Sequence, residues 1–227
     1  MKDDLTTAAA LCTLIAMAAD PNMRKSEWLR ASPPMFDRAW MDRFTRVHPA
    51  IVPLIFVPTI LIMGYIGATN TSTWRFFAYL VVGYVLWTLT EYWLHRVVFH
   101  FEPEGGIGAR MHWMIHGVHH DHPNDPLRLV MPPSASIPLA TLFVVIWQLV
   151  FGYGGGFAVS AGFLTGYLGY DMTHYFVHHG KPRGPIGRKL RELHMRHHFE
   201  DDTTGYGVSA PYWDRVFGTA PQRRRPR

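Results

Sequence analysis

The 227-residue chain holds one cysteine, Cys12. An internal disulfide is thereby excluded, and so is a thiolate metal cluster, so any metal bound here takes nitrogen or oxygen ligands. Charge is sparse as well: 17% of residues are charged and 48% are apolar, enough for one domain with one continuous core. The basic n-region of a signal peptide is missing, because Lys2 is followed by Asp3 and Asp4. The mildly apolar stretch 5–19 is therefore expected to be a short surface helix or a disordered arm. Lys and Arg exceed Asp and Glu by 22 to 17, yet they sit beside apolar segments rather than among exposed aromatics. That placement excludes nucleic acid as a partner and points to membrane topology.

What the sequence does contain is, first, apolar segments. Residues 50–68 are apolar for about the length of a bilayer crossing, and 76–94 follow after a polar turn, forming a helical hairpin. Pro53 and Pro58 are tolerated inside a membrane span, where neighbours re-satisfy the freed carbonyls. Pro132 and Pro133 open a second pair, 137–151 and 157–170, joined by the flexible 152–156. Both members are short, so either their ends extend or the hairpin is partly re-entrant. The expected fold is all-α: an integral membrane bundle of about four transmembrane helices in two hairpins, with a cytosolic His-rich helical cap holding a dimetal site. Basic residues crowd the N-terminal arm, the central loop (Arg96, Arg110, Arg128) and the C-terminal region, whereas the hairpin turns carry only Arg75. Both termini and every histidine cluster are thus expected on the cytosolic side, in the inner membrane of a bacterium or the endoplasmic reticulum of a eukaryote. The expected division is a basic arm over 1–47, a membrane domain over 48–220 and a solvated basic tail over 221–227.

Second, there are 14 histidines. His95 and His100 stand in HRVVFH, where the second apolar segment runs out. On a straight α-helix residues five apart diverge, so both reach one site only if the helix unwinds or the metals lie between them. His116, His119 and His120 stand in HGVHH, at spacings expected to bring three imidazoles together from one turn. His174 and His178 lie one turn apart after the fourth apolar segment, and HMRHH places His194, His197 and His198 at the spacing of HGVHH. Ten imidazoles exceed what one ion can coordinate, so two metal ions are implied. An all-nitrogen site of this size suits a redox metal with vacant positions, with iron expected and zinc a possible occupant. No HExxH occurs and no glutamate stands inside a cluster, which argues against a metalloprotease. His48, His112, His122 and His179 are read as ordinary histidines, His112 having the best claim to support a ligand from behind.

The clusters HRVVFH, HGVHH, HYFVH and HMRHH, in this order with apolar hairpins between them, resemble the fatty acid hydroxylase and sterol desaturase superfamily. Within it, EYWLHRVVFH, MHWMIHGVHH, PLRLVMPP, YDMTHYFVHHG and TTGYGVSAPYWDRVFGT are most similar to fatty acid 2-hydroxylases of sphingolipid metabolism, over roughly 85–220. The resemblance implies a membrane fatty acid hydroxylase domain whose ligands are His95, His100, His116, His119, His120, His174, His178, His194, His197 and His198. It also implies insertion of one oxygen atom from dioxygen at C2 of a fatty acid or ceramide-type N-acyl chain, with two electrons supplied. Many family members carry a cytochrome b5 domain with an HPGG motif, whereas only His48-Pro49 stands here. The expected electron source is therefore a separate donor: a ferredoxin, a cytochrome b5 or a reductase. Asp171 is a candidate to fix a ligand tautomer, or else makes a helix-end contact. Tyr170 and Arg128 are candidates to position a substrate head, with aromatic-belt and headgroup contacts as the alternatives.

The histidine pattern serves other superfamily reactions equally, such as carotenoid ring hydroxylation or sterol desaturation. A non-enzymatic metal-binding or transporting membrane protein would want ligands near the bilayer midplane, not at helix ends.

Overall fold

The computed structural model describes residues 23–222, so the stretch 5–19 and the arginines of the extreme C-terminus lie outside the described residues. Every regular element among them is helical. In chain order these are α1 (Lys25–Trp28), α2 (Ala39–Arg43), α3 (Ile51–Thr69), α4 (Thr73–Trp93), π1 (Leu94–Phe99), α5 (Gly106–His112), π2 (Trp113–Gly117), α6 (Val118–Asp121), α7 (Pro133–His179), α8 (Pro185–Phe199) and α9 (Tyr212–Val216).

Two helices are long and apolar enough to cross a membrane by length and composition: α3, with mean hydropathy 2.2, and α7, with 1.9. At 1.5 Å per residue, α3 spans about 28 Å, close to the thickness of a hydrocarbon core. It continues through Pro58, whose missing N–H leaves one carbonyl without its usual donor, and the Thr59 hydroxyl donates to the Ile55 carbonyl at 2.8 Å beside it. The second expected span, α4, has 21 residues but is diluted by Thr, Tyr and Trp and carries Arg75 and Glu91. The expected third and fourth segments are the two arms of α7, 133–151 and 153–179, broken at Gly152 with φ 71° and ψ 179°. A positive φ is open to glycine at little cost, which is why the turn falls there. The second arm is longer than the apolar pattern suggests, and it carries His174 and His178 without interruption.

That arm is the spine of the bundle. It is buried along most of 155–167 and packs against both α3 and α4, which scarcely touch each other. Close approach is bought with small residues: a Cβ on Gly83 would lie 2.0 Å from the Val159 carbonyl oxygen, and one on Gly162 would lie 2.1 Å from that of Leu80. Towards the histidine end the core becomes aromatic, with Trp87 meeting Phe163 and Tyr167 edge to face at 5.2 Å. Residues ahead of α3 also belong to the packed structure. The buried Asp42 pairs with Arg46 and, at 3.0 Å, with Arg128.

Because backbone rather than a flexible side chain faces Gly83 and Gly162, a larger residue must push α4 off α7. Gly83→Leu and Gly162→Leu are each expected to destabilise the protein by about 1–3 kcal/mol or more. Thermal unfolding in detergent reads the loss; an unchanged midpoint for both would refute this packing.

Candidate metal centre

The divergence expected of His95 and His100 is resolved by the backbone. Past Trp93 the chain widens into π1, and the His100 N–H donates to the His95 carbonyl, five residues back, at 3.2 Å. A π-turn hydrogen-bonds residues five apart and so draws them to one side of the helix, and the two Nε2 atoms come within 3.3 Å. A second π segment, π2, carries His116. His174 and His178 occupy the last turns of α7, and α8 carries His194, His197 and His198.

The ten histidines converge as two groups of five: His95, His100, His116, His120 and His197 in one, His119, His174, His178, His194 and His198 in the other, with ligand atoms within 4.8 Å of one another inside each. This corrects the expectation that HGVHH aims three imidazoles at one point. On the α-helical α8 four residues advance about 40° past a full turn and three leave it about 60° short, so the i+3 ring leans to the opposite side, and HGVHH, which begins in π2, divides in the same way. His116 and His120 therefore stay together while His119 crosses to the other group; on α8, His194 and His198 stay and His197 crosses the other way. The exchange holds the groups side by side, with the rings of His120 and His198 4.3 Å apart.

Protonation decides whether these groups suit a cation. Burial, reinforced by neighbouring imidazoles, pushes His100 down to about 3 and holds His95, His116, His119, His194 and His198 well below the ordinary imidazole value. They are neutral, each with one N–H and one lone pair. His95 Nδ1 donates to the Tyr206 carbonyl at 2.6 Å, and His197 Nδ1 to that of Thr204 at 2.7 Å. With the proton on Nδ1, Nε2 is a bare lone pair, and His95 Nε2 lies 3.2 Å from that of His116. The bare Nε2 lone pairs of His95 and His197, held among the other imidazole nitrogens of their group, suit a shared cation. In the second group His174 Nε2 lies 3.0 Å from that of His119 and His178 Nε2 2.8 Å from that of His194, while Nδ1 of His178, His194 and His198 is buried with no partner among the described residues. Among the described residues, backbone carbonyls thus set the tautomers of His95 and His197 in the first group.

The other candidates have different work. Asp171 accepts from the Met131 N–H at 3.3 Å and the Tyr167 hydroxyl at 3.4 Å, so it ties the PLRLVMPP stretch to the interior of α7; among the described residues it bonds no imidazole, and it caps no helix end because α7 runs on to His179. Tyr170 stacks on His174, ring centroids 5.8 Å apart. Arg128 is not free for a substrate head, since its side chain is 2% exposed and is held by Asp42 and the Pro33 carbonyl. His112 Nε2 bonds the Phe99 carbonyl at 2.7 Å, beside His100. His122 bonds the Trp28 carbonyl, His48 accepts from the Ala50 N–H, and His179 packs on Tyr175.

Two acids were missed as supports. Asp214, 1% exposed, accepts from the N–H groups of Tyr206 and Gly207 at 2.8 and 2.9 Å and from the Thr219 hydroxyl at 2.8 Å. It fixes the strip whose Thr204 and Tyr206 carbonyls orient His197 and His95, and Gly205, at φ 79°, makes the bend between them. Glu91, also buried, accepts from the N–H and hydroxyl of Ser209, tying the same strip to α4. The sequence signal was an acid at the end of a Gly-rich, Pro-containing run, GYGVSAPYWD.

An all-helical chain whose long apolar helices end in converging neutral imidazoles belongs, by fold and site, with histidine-rich proteins built around a centre able to hold metal ions. The particular family is that of the fatty acid hydroxylases: its defining pattern matches residues 80–219, and the chain belongs to it. It is 37% identical over 193 residues to a dihydroceramide fatty acyl 2-hydroxylase of Arabidopsis thaliana, covering 83% of this chain and 80% of that protein. It is 36% identical over 205 residues to a ceramide very long chain fatty acid hydroxylase of Saccharomyces cerevisiae, covering 86% of this chain and 51% of that one. A solved structure of full-length Scs7p, with only the hydroxylase domain visible, superposes with a TM-score of 0.79 at 32% identity, covering 91% of this chain and 83% of that one.

Asp214→Ala removes the acceptor for three donors behind His95 and His197. It is expected to cost about 2–4 kcal/mol, a few times one unsatisfied buried group, and Asp214→Asn less. Thermal unfolding of both variants in detergent checks this, and equal losses would show that the charge contributes nothing.

Proposed function

We propose that this chain is a membrane hydroxylase with two metal ions that uses dioxygen to hydroxylate a lipid acyl chain at C2, the acyl group being a fatty acid or the N-acyl chain of a ceramide-type lipid. The observation that carries the proposal is the pair of five-imidazole groups gathered at one end of an apolar helical bundle. The named activities of the relatives support the substrate class. The ten histidines of the two groups are the proposed ligands, of iron in preference to zinc, and a metal pair supplies dioxygen activation. The all-nitrogen, cysteine-free donor set would accept iron or zinc, and it is dioxygen activation that selects iron, because zinc has no redox chemistry.

The chain's own part is to bind, orient and exclude. The Tyr206 and Thr204 carbonyls hold the Nδ1 protons of His95 and His197, keeping their Nε2 atoms available. Tyr170 acts through the ring of His174, and Asp171 through the backbone of Met131; both are positioning residues. Burial of the imidazoles excludes water from the reacting centre. In the proposed topology α3, α4 and both arms of α7 lie in the bilayer, in the endoplasmic reticulum or a bacterial inner membrane, with termini and histidines cytosolic. An acyl chain lying along the bundle then brings the carbon next to its head group level with the metals. Electrons arrive from a separate ferredoxin, cytochrome b5 or reductase.

Lipid mass spectrometry of cells with and without the protein, supplied with a competent donor, is expected to show 2-hydroxy acyl chains that disappear with His197→Ala. Oxygen entering far from C2, or a carotenoid or sterol product, would sink the assignment; metal uptake into vesicles without lipid oxidation would favour a binding protein. The metal count is a separate check. Wild type is expected to hold two ions per chain, and His116→Ala and His194→Ala each to lose mainly one, by elemental analysis of purified protein; full retention in both variants would remove these residues from the ligand set.

A further inference from the structure

The apolar surface does not stop where the long helices stop. On α4, Val81, Val85 and Trp93 are exposed at multiples of four residues, and the next step, Val97, falls beyond the helix end in π1, where it and Val98 are about half exposed. Phe101 follows. Past a polar turn holding Glu102 and Glu104, Ile107, Met111 and Ile115 recur at steps of four across α5 and π2. Residues four apart share one helix face. Ile107 is 82% exposed, Met111 49% and Ile115 51%, so this face is open along its length. The same segment turns its other side inward: His95 and His116 are buried, and His112 holds the Phe99 carbonyl. Imidazoles of the first group and an uncovered apolar stripe thus occupy opposite sides of 93–115.

An apolar stripe of this length is uncommon on a surface that faces water. Two observations select its occupant. The stripe continues the exposed face of α4, which the membrane reading places against lipid, and of the polar residues between Trp93 and Val98 His95 is buried, leaving Arg96. Its margins also have the make-up of a bilayer interface. The Arg96 guanidinium lies over the Tyr92 and Trp93 rings at 5.9 and 5.7 Å, and the Trp113 indole N–H donates to Asp121 at 2.9 Å. Aromatic bodies with polar tips and cations with apolar stems settle where acyl chains meet head groups.

The geometry points to residues 93–115 as an interfacial collar. Its stripe sinks into the acyl region of the leaflet on the histidine side, which sets the first imidazole group beside the head-group level of that leaflet. The collar rests on the membrane reading given above.

The test uses the full chain with Cys12→Ala in phosphatidylcholine vesicles, carrying one fluorophore-labelled cysteine at a time from Ile107→Cys, Met111→Cys or Ile115→Cys. Tyr65→Cys on α3 is the lipid control and Arg183→Cys the aqueous one. Lipids brominated on the acyl chain are expected to quench the collar labels as they quench Tyr65→Cys, with iodide far less effective. Quenching by iodide as strong as at Arg183→Cys overturns the collar. Protection from both quenchers overturns it too, since a second copy or residues 1–22 would then cover the stripe. If Tyr65→Cys itself escapes brominated lipid, the membrane reading falls and takes the collar with it.

Discussion

Ten imidazoles brought together in two groups, with neighbouring Nε2 atoms about 3 Å apart, impose the constraint on which the rest of the structure depends. A neutral imidazole has one proton and one lone pair, and burial removes the alternative of carrying charge. A ring whose Nδ1 proton is spent on a carbonyl presents only a lone pair to its neighbours. The helix ends, the two π segments and the strip 204–219 together supply the geometry that this requirement demands. The crossing of His119 and His197 between groups matters for the same reason. Each HxxHH helix contributes to both groups, so neither group can shift without moving the other.

The supporting layer is mostly backbone. Asp214 gathers two N–H groups and a hydroxyl, the strip is thereby held, and its carbonyls in turn hold two imidazoles. Asp42 and Asp171 do comparable work on the opposite side, tying the segment ahead of α3 and the PLRLVMPP stretch to the bundle. Of the two stretches that carried the resemblance to fatty acid 2-hydroxylases, GYGVSAPYWD thus supports the imidazoles and PLRLVMPP ties the segment ahead of α3 to the arm that carries His174 and His178. Their residues are constrained by folding before any substrate is considered.

The bundle delivers the histidines by close packing. Glycines at 83 and 162 bring α4 and the second arm of α7 together backbone to backbone, so the ends of those helices, with His95 just past one and His174 and His178 on the other, stand beside each other. A membrane gives helices little hydrophobic reason to associate, and small residues at the contact are the usual remedy.

Helical class, apolar segments and the ten histidines were legible in the sequence because each is local: an apolar run has a length, and a cluster has a spacing. Spacing also carried the warning about His95 and His100, but not its solution, since a π segment is settled by where both ends of the turn must pack. The division of the clusters into two groups of five escaped for a related reason. An i+3 ring and an i+4 ring lie on flanks of one helix face, and only the neighbouring helices determine which flank meets which partner. Asp214, Glu91 and Arg128 took their roles from partners 5 to 118 residues away, as Thr219, Ser209 and Asp42 show. The sequence by itself determined which atoms are available to bind a metal. The tertiary structure decided how they are shared out and which protons they keep, because hydrogen bonds and burial depend on distance in space and not on separation along the chain.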